Sequence, residues 1–213
     1  MIIAIDGPAA SGKGTLGKRL AEHFGFAHLD TGLLYRAVAR VLMDRDIPLT
    51  DRDAAAQAAL DLDVSHLEDD SRLRGAAMGE AASVVSAYQP VRDALLAFQR
   101  QFGAQEPGAV LDGRDIGTVV CPDAEVKLFI TAAPEERARR RYRELLSRGE
   151  QAEYETILVD IRRRDERDMS RSTAPLKAAA DAMTLDTTHL DADGAFQAAL
   201  DLVERRRFAK ADR

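Results

Sequence analysis

The residues best suited to chemistry lie near the N-terminus, in a glycine-rich segment between an apolar run and a helical apolar pattern. This segment reads Gly7-Pro8-Ala9-Ala10-Ser11-Gly12-Lys13-Gly14-Thr15. Between a strand and a helix, such a loop turns backbone N–H groups toward phosphate oxygens, and its lysine reaches the outer phosphates. We therefore predict that the whole segment binds ATP, that Lys13 is catalytic, and that the Thr15 hydroxyl faces Mg²⁺. The alternative is a glycine-rich turn that binds nothing.

Charged residues follow two further apolar runs, in the segments Asp30-Thr31-Gly32-Leu33-Leu34-Tyr35-Arg36 and Asp112-Gly113-Arg114-Asp115. Ligands collect at the carboxyl ends of strands in open α/β sheets. The guanidinium groups of Arg36 and Arg114 suit a second phosphate. Asp112 is placed to hold Mg²⁺ through water, and Asp115 is placed to accept hydrogen bonds from a base edge. A helix cap by Asp30 and a neutralised surface turn at 112–115 are the alternatives.

Arginines are dense between residues 135 and 148, and their spacing divides them. Three have a glutamate four residues earlier, the order that favours an ion pair on a solvent-exposed helix: Glu135 with Arg139, Glu136 with Arg140, and Glu144 with Arg148. Arg137 and Arg141 have none, and they lie four residues apart. Because like charges at that spacing repel, we predict that both face a polyanion and act in catalysis.

A second cationic cluster places Arg164, Asp168 and Arg171 on one face of a later helix. One interpretation is an internal ladder of salt bridges. The other is that Asp168 holds sugar hydroxyls, while Arg164 and Arg171 bind phosphates or Asp168 itself. The residues alone leave both interpretations open.

The elements that must position these clusters alternate between strands and helices. Apolar runs rich in β-branched residues, typical of strands buried on both faces, occupy residues 1–5, 27–29, 109–111, 126–130 and 183–185. Helical periodicity separates them. The fold class is therefore α/β: a parallel sheet flanked by helices, of the kind found in P-loop NTPases, with right-handed crossovers.

The chain of 213 residues suits a single domain. We expect a core of about residues 1–50, 106–133 and 176–213. Residues of about 51–105 are alanine-rich and helical, interrupted by a polar turn at 68–71, and are expected to form an acceptor-binding appendage. Residues of about 134–175 are too charged to supply much core, which favours a mobile helical lid.

Composition excludes several classes of protein. With 30 Lys and Arg against 36 Asp and Glu, the net charge of −6 argues against a protein that coats nucleic acid. No apolar run is long enough for a membrane span, so we expect a cytoplasmic protein without a membrane partner. The single cysteine, Cys121, cannot form an internal disulfide, and the four histidines are scattered. We expect neither a catalytic thiol nor a protein-built zinc site, and we expect a monomer.

Five segments together resemble one enzyme family. They read G-P-A-A-S-G-K-G-T, D-T-G-L-L-Y-R, P-V-R, D-G-R-D-I-G-T-V-V and R-D-E-R-D-M-S-R, and they run in this order from residue 7 to the end of the predicted lid. The chain is therefore similar to bacterial cytidylate kinases, which belong to the P-loop nucleoside monophosphate kinases. Adenylate kinases share the loop but lack the D-G-R-D segment.

The resemblance implies roles for individual residues. It assigns the acceptor phosphate to Arg36 and Arg114 and the cytosine to Ser83, Arg92 and Asp115. It further implies that Thr31 and Tyr35 line the same pocket, that Asp168 and Arg171 meet the sugar, and that Arg164 acts in catalysis.

The implied reaction is phosphoryl transfer from ATP, with Mg²⁺, to the small-molecule nucleotides CMP or dCMP, giving CDP or dCDP, as part of pyrimidine metabolism. Two alternatives remain. One is another small-molecule P-loop kinase, with UMP, dTMP or a non-nucleotide acceptor. The other is a nucleotide-dependent switch without catalysis, whose arginine clusters dock a partner.

Overall fold

Five parallel strands form one sheet at the centre of the protein, as the sequence predicts. The structure, a computed structural model, describes residues 1–64, 67, 71–73 and 75–211, with the side chains of 76 and 208–211 left aside. The strands are β1 (Ile2–Asp6), β2 (Ala27–Asp30), β3 (Ala109–Gly113), β4 (Val126–Thr131) and β5 (Met183–Asp186). Their order across the sheet is β2-β3-β1-β4-β5.

The register of the sheet brings the predicted polar segments to one edge. Asp6 at the end of β1 lies opposite Gly113 on β3, and Asp30 on β2 lies opposite Asp112. The glycine-rich segment of residues 7–15, which is predicted to bind phosphate and is called the phosphate loop below, follows β1. Because these strands are parallel, it and both charged segments emerge side by side. The sheet therefore places all three predicted clusters at its carboxyl edge.

Eight α-helices surround the sheet in the described part of the chain. They are α1 (Lys13–Phe24), α2 (Thr31–Asp44), α3 (Arg52–Leu60), α4 (Ala76–Val85), α5 (Gln89–Gly103), α6 (Pro134–Ser147), α7 (Tyr154–Ser170) and α8 (Ala192–Ala211). Two short turns of other helix types occupy Ser71–Leu73 and Ile116–Val120, the second of them a π-helical turn. No helix among the described residues is both long and apolar enough to cross a membrane.

The two faces of the sheet carry separate apolar clusters. Helices α1 and α8 cover one face, where Leu20 and Val203 are fully buried with Ile5. Helices α2 to α5 cover the other, and their buried residues form one cluster with Leu111 of β3. The region of about 51–105 therefore shares its core with the sheet, through α3, α4 and α5. Of the polar turn predicted at 68–71, residues 68–70 lie outside the described residues.

Local sequence explains where helices α2 and α5 begin. Asp30 caps α2, because its carboxylate accepts a hydrogen bond from the Gly32 amide at 2.9 Å. Pro90 lies in the first turn of α5, where its missing N–H costs no helical hydrogen bond.

Helices α6 and α7 pack against each other over a small apolar cluster of their own. Ala138 and Leu145 of α6 meet Ile157, Leu158 and Ile161 of α7. The rest of both helices is mostly charged, in line with the prediction that this region supplies little core. These two helices are the region predicted as the lid.

Candidate functional site

A cavity of about 640 Å³ opens at the carboxyl edge of the sheet. The phosphate loop, the segments after β2 and β3, and helices α4, α6 and α7 all contribute to its wall. Of the predicted site residues, only Gly7, Pro8, Ser11 and Arg137 do not line it. The fold thus brings together residues that are more than 150 positions apart in sequence, from Lys13 to Arg171.

The phosphate loop has the backbone shape that its glycines allow. A Cβ atom at Gly7 would lie 2.1 Å from the Ile130 carbonyl oxygen, so no larger residue fits there. Gly12 precedes α1 with a φ of 90°, in the left-handed region that favours glycine. The Ser11 hydroxyl oxygen is buried and, among the described residues, has no hydrogen-bond partner. A tight turn with an orphaned polar atom at a helix N-terminus fits a bound phosphate group.

Lys13 lies half-buried in the first turn of α1, and its ammonium group donates a hydrogen bond to the Pro8 carbonyl at 3.4 Å. Loss of hydration and the nearby Arg114 guanidinium lower the pKa of Lys13 to about 7. A bound anion would therefore stabilise the charged form of Lys13, whose ammonium group has few hydrogen-bond partners among the described residues.

Asp112 is almost completely buried beside the start of α1. Its Oδ2 lies 2.9 Å from the Nε2 atom of His28, and the Thr31 hydroxyl donates to its backbone carbonyl at 2.8 Å. Burial and the neighbouring Asp30 carboxylate raise the pKa of Asp112. With the Thr15 hydroxyl, it offers oxygen ligands of the kind that Mg²⁺ prefers. No cluster of three His, Cys, Asp or Glu side chains forms a metal site in the residues described.

A buried ion pair lies at the end of the cavity nearest α5. Arg92 of α5 and Asp115 after β3 pair directly, and each side chain is 6% exposed. The Arg92 guanidinium also lies 5.7 Å from the centre of the Tyr35 ring. Although burial opposes it, Tyr35 and Asp115 raise the pKa of Arg92. The resemblance implies that all three residues lie in the acceptor pocket, and the structure brings them together; their contact with an acceptor stays a prediction.

Asp168 is the centre of the second cationic cluster. Its Oδ2 lies 3.0 Å from the Nε of Arg114 and 3.9 Å from that of Arg164, and the Ser83 hydroxyl donates to its Oδ1 at 3.0 Å. Burial works against ionisation, yet Arg114 and Arg164 hold the pKa of Asp168 below its ordinary value. The salt-bridge interpretation therefore holds for part of this cluster, because Asp168 pairs with Arg114 and Arg164, whereas Arg171 donates to the Ala174 carbonyl and the Ser86 hydroxyl. A role of Asp168 and Arg171 toward the sugar stays a prediction.

Several arginines around Asp168 keep unsatisfied donors. The buried Nε atoms of Arg36 and Arg164 and the Nη2 atom of Arg171 have no hydrogen-bond partner in the part of the chain described. Burial, followed by repulsion from Arg114, lowers the pKa of Arg164 to about 10. Buried cationic donors in excess of the available carboxylates favour an incoming anion.

The structure corrects the interpretation of Arg137. Its guanidinium forms a bidentate ion pair with Asp165 of α7, from Nη1 to Oδ1 at 3.1 Å and from Nη2 to Oδ2 at 2.6 Å. It also donates hydrogen bonds to the carbonyls of Ala132 and Ala9. The expectation that Arg137 lacks an acidic partner and faces a polyanion is therefore wrong in this arrangement. The physical reason is that Asp165 lies 28 residues away on a separate helix, where a spacing rule for one helix cannot reach it.

Arg141 does line the cavity, but it also has an acidic partner, Glu144, at 2.7 Å. The expectation of an unpaired Arg141 fails because the rule considered residues four positions earlier and not three positions later. Glu144 also pairs with Arg148, as predicted. Glu135 pairs with Arg162 of α7 at 2.6 Å and not with Arg139.

The cavity wall also includes residues that are not among the predicted site residues, such as Arg140 and Glu80. Arg140 pairs with Glu136 at 3.4 Å, as predicted, yet it also donates to the Ser11 carbonyl at 3.3 Å and to Thr187 after β5. Glu80 of α4 pairs with Arg167 of α7 at 2.5 Å. The contacts that join separate elements have no local sequence signal.

Comparison with known proteins identifies the family. A family profile described as Cytidylate kinase matches residues 3–205. The chain is 61% identical over 207 residues to a protein named Cytidylate kinase from Rhodopseudomonas palustris, covering 97% of both chains. It is 60% identical over 207 residues to one of the same name from Xanthobacter autotrophicus, covering 97% of this chain and 99% of the relative.

A solved structure of shikimate kinase from Bacteroides thetaiotaomicron shares the fold alone. It has a TM-score of 0.51 and 13% identity, with 96% of this chain and 98% of that chain covered. The profile and the relatives span nearly the whole sequence. The chain belongs to the cytidylate kinase family.

Proposed function

We propose that this protein transfers the γ-phosphoryl group of ATP to CMP, forming ADP and CDP. The observation that carries the proposal is one cavity with a phosphate loop on one side and a cluster of arginines on the other. Relatives named Cytidylate kinase, at about 60% identity, support the same reaction.

The phosphate loop, residues 7–15, would hold the phosphates of ATP through its backbone amides and Lys13. Thr15 and Asp112 would hold the Mg²⁺ ion that accompanies ATP, Asp112 through water. That ion would neutralise charge on the β- and γ-phosphates. His28 lies 2.9 Å from Asp112 Oδ2, and both carboxylate oxygens of Asp112 lie near the loop, within 4.0 Å of the place a Cβ atom would take at Gly14.

The arginine cluster would hold the acceptor phosphate through Arg36, Arg114 and Arg164; the buried Nε atoms of Arg36 and Arg164 have no hydrogen-bond partner among the described residues. Ser83, Arg92 and Asp115 would face the cytosine, with Thr31 and Tyr35 lining the pocket. Asp168 and Arg171 would meet the sugar. In this arrangement Asp168 exchanges its pairing with Arg114 for the sugar hydroxyls when CMP binds.

The chemistry is a direct in-line displacement. An oxygen of the CMP phosphate attacks the γ-phosphorus, the bond from that phosphorus to the β–γ bridging oxygen breaks, and ADP leaves with that oxygen. The attacking phosphate is already ionised at neutral pH, so no general base is required. Lys13, Arg141 and Arg164 would stabilise the charge on the transferred group.

Water competes with CMP for the γ-phosphoryl group. Arginines carried on α6 and α7 that close over both substrates would link the chemical step to correct binding. The lid of about 134–175 and the acceptor region of about 51–105 are part of this proposal. So are dCMP as a second acceptor, a cytoplasmic location and a monomeric state.

An ADP-release assay across CMP, dCMP, UMP, AMP and dTMP tests the proposal. We expect CMP and dCMP to be consumed fastest. Fastest use of UMP, dTMP or a non-nucleotide alcohol would identify another small-molecule kinase. ATP binding without turnover on any acceptor would instead indicate a switch. The two acceptor-facing arginines, Arg36 and Arg114, favour the kinase, because a switch needs no second phosphate site.

The Asp115→Ala variant should lose selectivity for cytosine. An ionised carboxylate accepts a hydrogen bond from the cytosine amino group but opposes the uracil oxygen. We expect the ratio of kcat/KM for CMP to that for UMP to fall by about tenfold or more. The Asp115→Ala substitution also leaves Arg92 buried without its partner. The double variant Asp115→Ala/Arg92→Ala removes that unpaired charge and serves as the control. An unchanged ratio, with both rates reduced, would assign Asp115 to positioning Arg92 or Arg114.

The two arginines at 139 and 141 should differ in their effect on turnover. Arg141 lines the cavity, whereas Arg139 is 56% exposed and, within the described part of the chain, pairs with Glu136 alone, at 3.3 Å. We expect Arg141→Ala to lower kcat by about tenfold or more, and Arg139→Ala to change it by less than about threefold. Steady-state rates at saturating ATP and CMP measure both. Equal losses at the two positions would remove Arg141 from the catalytic group.

A further inference from the structure

Asp6, the last residue of β1, is buried at 4% exposure, and the proposed function gives its carboxylate no contact with either substrate. Its Oδ1 accepts a hydrogen bond from the Ile116 amide at 2.7 Å, and its Oδ2 accepts one from the Gly117 amide at 2.8 Å. Both carboxylate oxygens are therefore committed to one short backbone segment. That segment begins directly after Asp115.

The segment in question is the π-helical turn Ile116–Val120. The Asp115 carbonyl accepts from the amides of Val119 and Val120, so the turn closes back on the residue that pairs with Arg92. The Lys127 side chain packs closely against the turn, since a Cβ atom at Gly117 would lie 3.2 Å from Lys127 Cδ, and Asp6 Oδ2 would be in ordinary contact with it at 3.4 Å. Asp6 thus anchors the turn at its start, and the turn fixes the backbone of Asp115.

We propose that Asp6 is a positioning residue for acceptor recognition: its carboxylate holds the Ile116 and Gly117 amides and thereby fixes Asp115 against the acceptor base. The inference rests on the proposed function, in which Asp115 reads the cytosine. Asp6 also directly precedes Gly7, so one residue joins the strand that carries the phosphate loop to the segment that carries the acceptor site.

The charge on this carboxyl group changes near neutrality. Burial, opposed by the two amides, raises the pKa of Asp6 to about 7. Arg114 and Asp115 act on it from the segment after β3. Cys121 lies beyond the turn, and the Lys127 side chain lies on β4 with its ammonium paired to Asp181 at 2.9 Å.

Protonation of Asp6 changes the number of hydrogen-bond acceptors that its side chain presents to the turn. An ionised carboxylate has two acceptors for the two amides, whereas a protonated one turns an O–H toward one of them. The anchor therefore weakens as pH falls through about 7.

Asp6→Asn tests the inference, because the amide side chain keeps the shape but loses one acceptor. At about pH 8 we expect the Kd for CMP, measured by calorimetry, to rise by about tenfold, and the Kd for ATP by less than about twofold. At about pH 6, where Asp6 of the native protein is mostly protonated, the effect on CMP should shrink to less than about threefold. Equal weakening of both nucleotides, or an effect independent of pH, would overturn the inference.

The matched control is Asp191→Asn, which changes a carboxylate that accepts the Gly194 amide at 2.8 Å on the exposed start of α8. We expect it to leave the affinities for both nucleotides unchanged.

Hydrogen exchange in the native, nucleotide-free protein supplies a second measurement that requires neither activity nor a folded variant. After correction for intrinsic exchange, protection of the Ile116 and Gly117 amides should fall by about tenfold from about pH 8 to about pH 6 relative to β3 amides. Constant protection would overturn the inference even if CMP is phosphorylated. Failure to phosphorylate CMP would overturn the proposed function and leave this anchoring measurable.

Discussion

Replacing Lys13 by methionine should lower kcat by a factor of about 100 or more, because one preorganised charge-stabilising group is typically worth about 3 kcal/mol in the transition state. Under the proposed function, the Lys13 ammonium follows the charge that develops as the γ-phosphoryl group moves. Steady-state turnover of CMP at saturating ATP measures the loss. Turnover near that of the native protein would remove the phosphate loop from the mechanism.

The stability of Lys13→Met serves as its control for folding. Because burial and Arg114 lower the pKa of Lys13 to about 7, the native state disfavours the charged form that the unfolded chain prefers. This loss of folding stability is fully present below about pH 7 and vanishes as pH rises toward 10.5, the ordinary pKa of a lysine. We therefore expect the methionine variant to be at least as stable as the native protein at neutral pH. A loss of activity accompanied by unfolding would contradict this account.

Separating Arg137 from Asp165 should destabilise the protein by about 3–5 kcal/mol, because each group then remains buried without its partner. The two side chains are 4% and 10% exposed and join α6 to α7. We expect Arg137→Ala and Asp165→Ala each to lower the free energy of unfolding in urea by an amount in this range. The double variant should lose less than the sum of the two, by about 1–3 kcal/mol.

The matched control for this pair is Arg139→Ala, which removes an exposed arginine from the same helix. Its ion pair with Glu136 is worth at most about 0.5 kcal/mol. Additive losses in the double variant would show that Arg137 and Asp165 stabilise the protein independently. In that case the contact of Arg137 with the Ala9 carbonyl would be its more important one.

Local sequence was sufficient for the sheet and the phosphate loop. Each strand is a short apolar run between turn residues, and the loop needs its glycines and Lys13 in immediate succession, so both signals lie within a few residues. Arg36, Arg114 and Asp115 were also predictable, because parallel strands deliver whatever follows them to one edge. The resemblance to a known family added Ser83 and Arg92, which no local pattern marks.

Contacts between separate helices and strands could not be predicted from the spacing of charged residues along one helix. Asp165 neutralises Arg137 from another helix, and Arg140 reaches Thr187 across 47 residues. The two amides that Asp6 binds lie 110 and 111 residues away. The spacing of residues within a helix predicts contacts on that helix alone. The tertiary structure was therefore needed to distinguish the arginines that line the cavity from those that face solvent.

The carboxylate of Asp168, held 3.0 Å from Arg114 and 3.9 Å from Arg164, gives the arginine cluster a resident anion. Under the proposed function, an entering phosphate would compete with this carboxylate for the guanidinium groups, so the net affinity would be the difference between two pairings and not the sum of several guanidinium contacts. The same exchange would run in reverse when the product departs, with Asp168 pairing again with Arg114. Such a site would bind its ligand less tightly but release it faster, and its arginines would already be ordered before each encounter.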